Sequence, residues 1–220
     1  MKLKLIIFPL CLIALHAFGF EGSIKQIVKN YNGTGTTVTM TWYLTPHSYR
    51  VDMAASGKDV NSNSVFIMDP TTKTLKTYES SGGAGQKLYF QVNAGTISGD
   101  LSIISVNITQ EAKQINGYKC EKWVVVTTAG TYNVWITRDI DADWSAYKDF
   151  FKTSIEVQAM ASQGVKGFAM LTESNNGNNS ASVENVAVKT ISADTFLVPS
   201  DYTLFVPQTQ SATPAKTKTK

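Results

Sequence analysis

Hydrophobic and polar residues alternate with a period of two along much of this chain. The clearest case is residues 37–44, TVTMTWYL, in which every second position is apolar. Such alternation is typical of a β-strand with one buried face. Segments of this kind recur as far as residue 205, and short turn sequences separate them. Since short turns join antiparallel neighbours, the pattern predicts a mostly antiparallel sheet.

A β-hairpin is predicted around Asn116-Gly117. This dipeptide suits the two central positions of a tight hairpin turn, where both residues need positive φ angles. A long strand at residues 101–115 precedes the turn, and a return strand follows at residues 118–127. Residues 131–137 are expected to add the next strand after a second turn.

One helix is predicted from Asp139 to Met160. Large apolar residues recur there at helical spacing: Trp144, Tyr147, Phe151 and Ile155. Three aspartates crowd the expected start, where capping oxygens and negative charge are favourable. Gly164 follows the last turn and is suited to ending the helix. The predicted fold class is mainly β (α+β), with a curved antiparallel sheet or half-barrel wrapped around this one amphipathic helix.

The two ends of the chain differ in composition from the body. Residues 1–19 combine a basic start, an apolar run and small residues before an expected cleavage after Gly19. This is the pattern of a secretory signal peptide, and an uncleaved anchor is the alternative. Residues 20–207 are predicted to form a single β-rich domain, and the Thr/Lys-rich residues 208–220 to be disordered. We therefore expect a periplasmic or secreted protein, with no transmembrane segment in the mature chain.

Charge and cysteine content narrow the possible functions. The net charge of +3 falls to +1 without Lys2 and Lys4 of the signal. Because nucleic-acid binding needs a basic surface that neutralises phosphates, a nucleic acid is not an expected partner. Cys120 would be the one cysteine after cleavage, so an internal disulfide is not possible.

No catalytic, metal or cofactor site is predicted. Asp139 to Asp143 resemble the opening of a calcium loop, but Trp144 stands where that loop needs glycine. His47 is the one histidine after the signal, and no nucleophile-elbow pattern accompanies it. Together with Cys120 it is too few ligands for a zinc site. The sequence thus favours a protein that is not an enzyme.

Six aromatic residues are the candidate ligand-binding residues. They are Trp42, Trp123, Trp135, Trp144, Tyr147 and Phe151. Large aromatic side chains fill protein cores, and they also line cavities for apolar ligands. The strands around Trp123 and Trp135 are apolar on both faces, so each face needs a cover or binds something. Both interpretations, a filled core and a ligand cavity, remain open from the sequence.

Four short motifs resemble a known family. Residues 117–123 read GYKCEKW and residues 134–140 read VWITRDI. Together with Phe20-Glu21-Gly22 and the segment VPSDY at 198–202, they are similar to a secreted bacterial family of unknown function, numbered 4412. The resemblance implies a fold like that of the periplasmic lipoprotein carriers of the LolA/LolB type. It implies no catalytic residues.

Two functions follow as expectations. The first is a non-enzymatic periplasmic or cell-envelope protein that binds a lipid, acyl chain or lipoprotein between its sheet and its helix. The alternative is a structural or protein-interaction module of the envelope, with a filled core and no small-molecule ligand. The expected partner is accordingly a hydrophobic ligand or another envelope protein.

Overall fold

The structure is a computed structural model that describes residues 19–31, 34–58, 60–80, 86–99, 101–177 and 180–206. The predicted signal peptide, apart from Gly19, and the predicted disordered segment 208–220 lie outside these residues. The strands are β1 Gly22–Tyr31, β2 Thr36–Leu44, β3 Tyr49–Ser56, β4 Asn61–Asp69, β5 Thr74–Glu79, β6 Leu88–Asn93, β7 Ile103–Ile115, β8 Tyr118–Thr127, β9 Gly130–Thr137, β10 Phe168–Ser174, β11 Ser180–Val188 and β12 Thr203–Leu204. The α-helix is α1 Ile155–Gln163, and three short 3₁₀ helices lie at Ala94–Thr96, Lys148–Phe150 and Ala193–Phe196.

All twelve strands in the described part of the chain belong to one sheet. Their order is β12-β6-β5-β4-β3-β2-β1-β11-β10-β9-β8-β7. Every neighbouring pair is antiparallel except β12 and β6, which run parallel. The sheet is curved and unclosed, consistent with a half-barrel wrapped around one helix, which confirms the predicted fold class.

The helix is much shorter than predicted, and the prediction of a helix is wrong for residues 139–154. Helix α1 begins after Ser154, whose hydroxyl accepts a hydrogen bond from the Val157 N–H at 3.3 Å. The Asp143 carboxylate accepts bonds from the backbone N–H and the hydroxyl of Ser145, which favours a turn over a helix. Gly164 ends the helix with a φ of 62°, as its position after the last turn predicted.

The predicted turn at Asn116-Gly117 is confirmed, with φ angles of 50° and 83°. The hairpin of β7 and β8 is bent by an irregularity between Ile108 and Ala112. Beyond this bend, the Asn116 side chain donates a hydrogen bond to the Val183 carbonyl of β11 at 2.6 Å. The hairpin tip therefore reaches across two intervening strands and helps to bury the centre of the sheet.

The C-terminal segment packs on the sheet. Phe196, Val198 and Tyr202 contact a separate buried cluster formed by Val65, Ile67 and Tyr78. The Tyr202 hydroxyl donates to the Glu79 carbonyl at 2.8 Å, and the Arg50 guanidinium donates to the Thr195 carbonyl at 2.8 Å. The apolar segment from Phe196 to Tyr202 thus docks on the body of the sheet.

No helix within the described part of the chain is long and apolar enough to cross a membrane.

Candidate functional site

Four of the six predicted site residues meet in one place. Trp42 on β2 lies against Trp144, with ring centroids 5.7 Å apart, and against Phe151 at 5.6 Å. Tyr147 stacks face to face on Tyr49 of β3, with centroids 3.7 Å apart. We call this group, completed by Phe168, the aromatic cluster. Its members are Trp42, Tyr49, Trp144, Tyr147, Phe151 and Phe168.

Both indole N–H groups of the cluster and the Tyr49 hydroxyl are hydrogen-bonded within the protein. The Trp144 indole N–H donates to the Gly167 carbonyl at 2.8 Å, and the Trp42 indole N–H donates to the Gln26 side chain at 3.1 Å. The Tyr49 hydroxyl donates to the Asp143 carbonyl at 3.1 Å. Trp42 and Trp144 are buried. The cluster is therefore a packed core region at these residues, with the polar edges of both indoles satisfied.

The stacked tyrosines are held in their neutral form. Burial raises the pKa of Tyr49 and of Tyr147 well above the usual tyrosine range, because the phenolate loses its hydration. The Tyr147 hydroxyl has no hydrogen-bond partner among the described residues. A phenol kept neutral and out of contact with solvent is not arranged for proton transfer at ordinary pH.

The other two predicted site residues, Trp123 and Trp135, belong to the same hydrophobic core but are not members of the aromatic cluster. The strand register places Trp123 of β8 and Trp135 of β9 on opposite faces of the sheet. Trp123 is fully buried, and its indole N–H donates to the Glu121 carboxylate at 3.0 Å. Trp135 is covered by Lys113, whose ammonium lies 3.9 Å from the ring centroid. The six residues thus do not line one common space.

A half-buried apolar feature next to the cluster was not singled out from the sequence. We call the face of the sheet that carries Trp42 the inner face, since the cluster packs on it. Met40 of β2 and Met53 of β3 are paired there, and Phe66 of β4 lies in register with Val51 and Trp42. Met40, Met53 and Phe66 are half-buried, and we name them the apolar strip. The in-phase alternation of β2, β3 and β4 is the signal that could have revealed it.

Metal-binding and acid–base chemistry have little support in the described residues. They contain no group of three or more His, Cys, Asp or Glu residues that could hold a metal ion. His47 is exposed in the turn between β2 and β3. Cys120 is buried, and burial raises the pKa of its thiol, which disfavours the reactive thiolate.

A family model described as "Domain of unknown function (DUF4412)" matches residues 20–202. The chain belongs to this family. The family number that the four sequence motifs indicated is thereby confirmed, while the implied likeness to the LolA/LolB carriers and the secretion stay predictions. No curated protein matches this DUF4412 chain. The family description states no activity, so a functional proposal has to come from the residues themselves.

Several solved structures are similar to this DUF4412 chain at low identity. PNGF-II in its P21 crystal form is 13% identical with a TM-score of 0.46, and the match covers 85% of this chain and 31% of that one. An uncharacterized conserved protein from Thermus thermophilus is 8% identical with a TM-score of 0.49, covering 84% of this chain and 91% of that one. The chain spans about a third of the length of PNGF-II.

Proposed function

We propose that this protein is a non-enzymatic protein of the periplasm or cell envelope that binds a hydrophobic ligand, such as a lipid, an acyl chain or a lipoprotein. The ligand lies on the inner face of the sheet, beside the aromatic cluster rather than within it. The observation that supports this most directly is the apolar strip, where the inner face stays apolar beyond the residues that cover it.

Burial of the inner face changes from one row of paired residues to the next. In the row beneath Tyr147, Leu44, Tyr49 and Met68 are 1–2% exposed. In the following row Phe66 is half-buried, and in the row after it Met40 and Met53 both are. Met40, Met53 and Phe66 in the middle of β2 to β4 are therefore less buried than the row beneath Tyr147, although they are apolar as well.

The residue types of the strip suit a flexible apolar ligand. Methionine is unbranched and polarizable, so a Met40–Met53 pair can adapt its shape to different chains. Each buried methylene contributes about 0.8 kcal/mol, whereas association costs on the order of 4–15 kcal/mol. A short hydrocarbon would not offset that cost, so the ligand is a long chain or a lipid with more than one chain.

The packed aromatic cluster gives the ligand a rigid wall. Phe151 is half-buried at the margin of the cluster and contacts both Trp42 and Trp144. Because its neighbours are fixed by hydrogen bonds, Phe151 can present one side to a ligand without losing its own packing. This arrangement supports binding beside the cluster with little rearrangement, which limits the ordering cost of binding.

The test is to purify the protein from its native envelope without detergent and to analyse an organic-solvent extract by mass spectrometry. A stoichiometric lipid or other hydrophobe is expected. Rebinding of a fluorescent long-chain fatty acid to extracted protein then gives an affinity. A clean extract together with no fatty-acid uptake would refute the proposal.

A pair of matched variants locates the site. M40Q/M53Q places two amides in the strip and should weaken fatty-acid binding by tenfold or more. T39Q/A54Q is the control, because Thr39 and Ala54 are the adjacent pair on the same strands and face the other way. Equal binding by the two double variants would place the ligand elsewhere.

A second candidate function is a structural or protein-interaction module of the envelope. It is favoured by the packing of the aromatic cluster, whose indole N–H groups are bonded within the protein. In that case a clean extract would be accompanied by recovery of a defined protein partner in stoichiometric amount.

A further inference from the structure

A buried amide lies beside the apolar strip on the inner face. Gln26 of β1 is 6% exposed and pairs directly with Met40 of β2. The Cβ atoms of directly opposed residues in an antiparallel pair are about 4.5–5.5 Å apart. The Gln26 side chain is therefore the polar neighbour of Met40, at the β1 side of the strip.

The oxygen of this amide is used within the protein, and its nitrogen is not. The Gln26 Oε1 atom accepts a hydrogen bond from the Trp42 indole N–H at 3.1 Å. Because an indole N–H can only donate, this bond fixes which way round the amide lies. The Gln26 Nε2 group makes no hydrogen bond to another described residue. It is not enclosed either, since the enclosed side-chain atoms without a partner in the described chain are the Tyr147 and Thr172 oxygens. An NH₂ group of fixed orientation is thus available to an acceptor from outside the protein.

The strands around Gln26 bring no positive charge to the inner face. In the described strands β1 to β6, β10 and β11, every lysine and arginine has the register of the opposite face, namely Lys25, Lys29, Arg50 and Lys76. The carboxylate on this part of the inner face is that of Glu79, which pairs with Ser64, the partner of Met53. A ligand carboxylate at Gln26 would lose its hydration without gaining a cation, which is unfavourable.

The apolar strip leads away from Gln26 across three neighbouring strands. Met40 pairs with Gln26 on one side and with Met53 on the other, and Phe66 lies one row further along on β4. Since neighbouring strands are about 4.8 Å apart, β1 and β4 are roughly 15 Å from each other. A long hydrocarbon chain whose polar end is at Gln26 can therefore lie over the whole strip.

We propose that Gln26 binds the uncharged carbonyl oxygen of an acylated ligand, whose hydrocarbon chain lies along the apolar strip. The Gln26 Nε2 group donates to that carbonyl, while Oε1 stays bonded to the Trp42 indole. This inference rests on the proposed function and narrows its ligand class, because an acyl ester or acyl amide is preferred over a free fatty acid. Esters and amides share the carbonyl acceptor, and the test compares them.

The experiment measures displacement of a fluorescent long-chain fatty acid from the extracted protein by three ligands that share one hydrocarbon chain. They are methyl palmitate, N-methyl palmitamide and palmitate, compared at pH 8. The ester, the amide or both should bind at least tenfold more tightly than palmitate, because neither brings a negative charge to the inner face. The tighter of the two identifies the source of the carbonyl. Equal binding of all three ligands, or a preference for palmitate, would overturn the inference.

A matched pair of variants tests the amide itself. Q26E removes the NH₂ donor but keeps an oxygen for the Trp42 indole, and it should weaken binding of the preferred ligand at least tenfold. Q91E is the control, because Gln91 is exposed on β6 and pairs with Lys76 on the other face of the sheet. It should leave binding unchanged. Unchanged binding by Q26E, or an equal loss in Q91E, would overturn the inference. Should Q26E misfold by circular dichroism, the comparison of the three ligands on the wild type decides alone.

The two proposals fail in different ways. If neither the fluorescent fatty acid nor any of the three ligands binds the wild type, the proposed function is refuted and this inference falls with it. If the fluorescent fatty acid binds and M40Q/M53Q weakens it, but palmitate binds as tightly as its ester and its amide, the ligand surface stands. In that case the role of Gln26 alone is refuted.

Discussion

Replacing Trp144 by alanine tests whether the aromatic cluster is a filled core. Trp144 is 2% exposed, and its ring lies 5.1–5.9 Å from four other aromatic rings. A buried tryptophan replaced by alanine costs about 3–5 kcal/mol through lost burial and the cavity left behind. The Gly167 carbonyl also loses its donor, and an unsatisfied buried acceptor costs about 1–3 kcal/mol. We therefore expect a loss near the upper end of the first range.

The assay is urea unfolding followed by far-ultraviolet circular dichroism. A loss of about 4–5 kcal/mol removes a large part of the 5–15 kcal/mol that typically stabilises a domain. Phe90→Ala is the matched control, because an exposed ring should contribute less than about 1 kcal/mol. W144F retains an aromatic ring but loses the indole donor, so it should fall between the two. A loss below about 1.5 kcal/mol for W144A, with an unchanged denaturant slope, would refute the filled-core reasoning and favour a cavity at Trp144.

Three further predictions are tested by urea or thermal unfolding. G167A should destabilise by about 1–3 kcal/mol or more, because a Cβ there would lie 2.6 Å from the Thr137 carbonyl oxygen; an unchanged midpoint would contradict the packing of Gly167. Y147F should be neutral or slightly stabilising, since it removes a buried hydroxyl without a partner, whereas Y49F loses the bond to Asp143 and should cost about 1 kcal/mol. Burial raises the folded-state pKa of Tyr49 and Tyr147 above that of an unfolded tyrosine. The free energy of unfolding is therefore independent of these two groups below about pH 10 and falls as the pH rises above it. The Y49F/Y147F variant should therefore show a flatter melting temperature between pH 9 and pH 11.5, and a profile parallel to the wild type would contradict that origin.

The sheet could be predicted because its pattern is local. Alternation within a strand reports one buried face, and a dipeptide such as Asn116-Gly117 fixes its own turn geometry. The extent of the helix could not be predicted in the same way. Trp144, Tyr147 and Phe151 are spaced as on a helix, yet the chain meets the sheet there through successive tight turns. Apolar spacing of three or four residues does not distinguish these two structures.

The candidate site was predicted in part. Trp42 and Trp144 are about a hundred residues apart in sequence, and their contact depends on β1 pairing with both β2 and β11. No local pattern encodes that sheet order. Trp123 and Trp135 were grouped with them by residue type, although their strand register places them on opposite faces. The Met40–Met53 pair could have been predicted from the sequence, because the turn between β2 and β3 determines which residues of the two strands are paired.

The segment before α1, which contains Trp144, Tyr147 and Phe150, covers part of the inner face. The way in which this segment is attached explains why a ligand would bind beside it. The Lys152 ammonium donates to the Ile97 carbonyl at 2.7 Å, which ties the segment before α1 to the chain that follows β6. Lifting that segment would expose Trp144, Tyr147 and Phe150, at roughly 1.5–3 kcal/mol for each side chain. A ligand that entered beneath it would have to replace all of those contacts. A ligand on the half-buried Met40, Met53 and Phe66 would leave those contacts in place, so the apolar strip is the surface that the proposed ligand would favour.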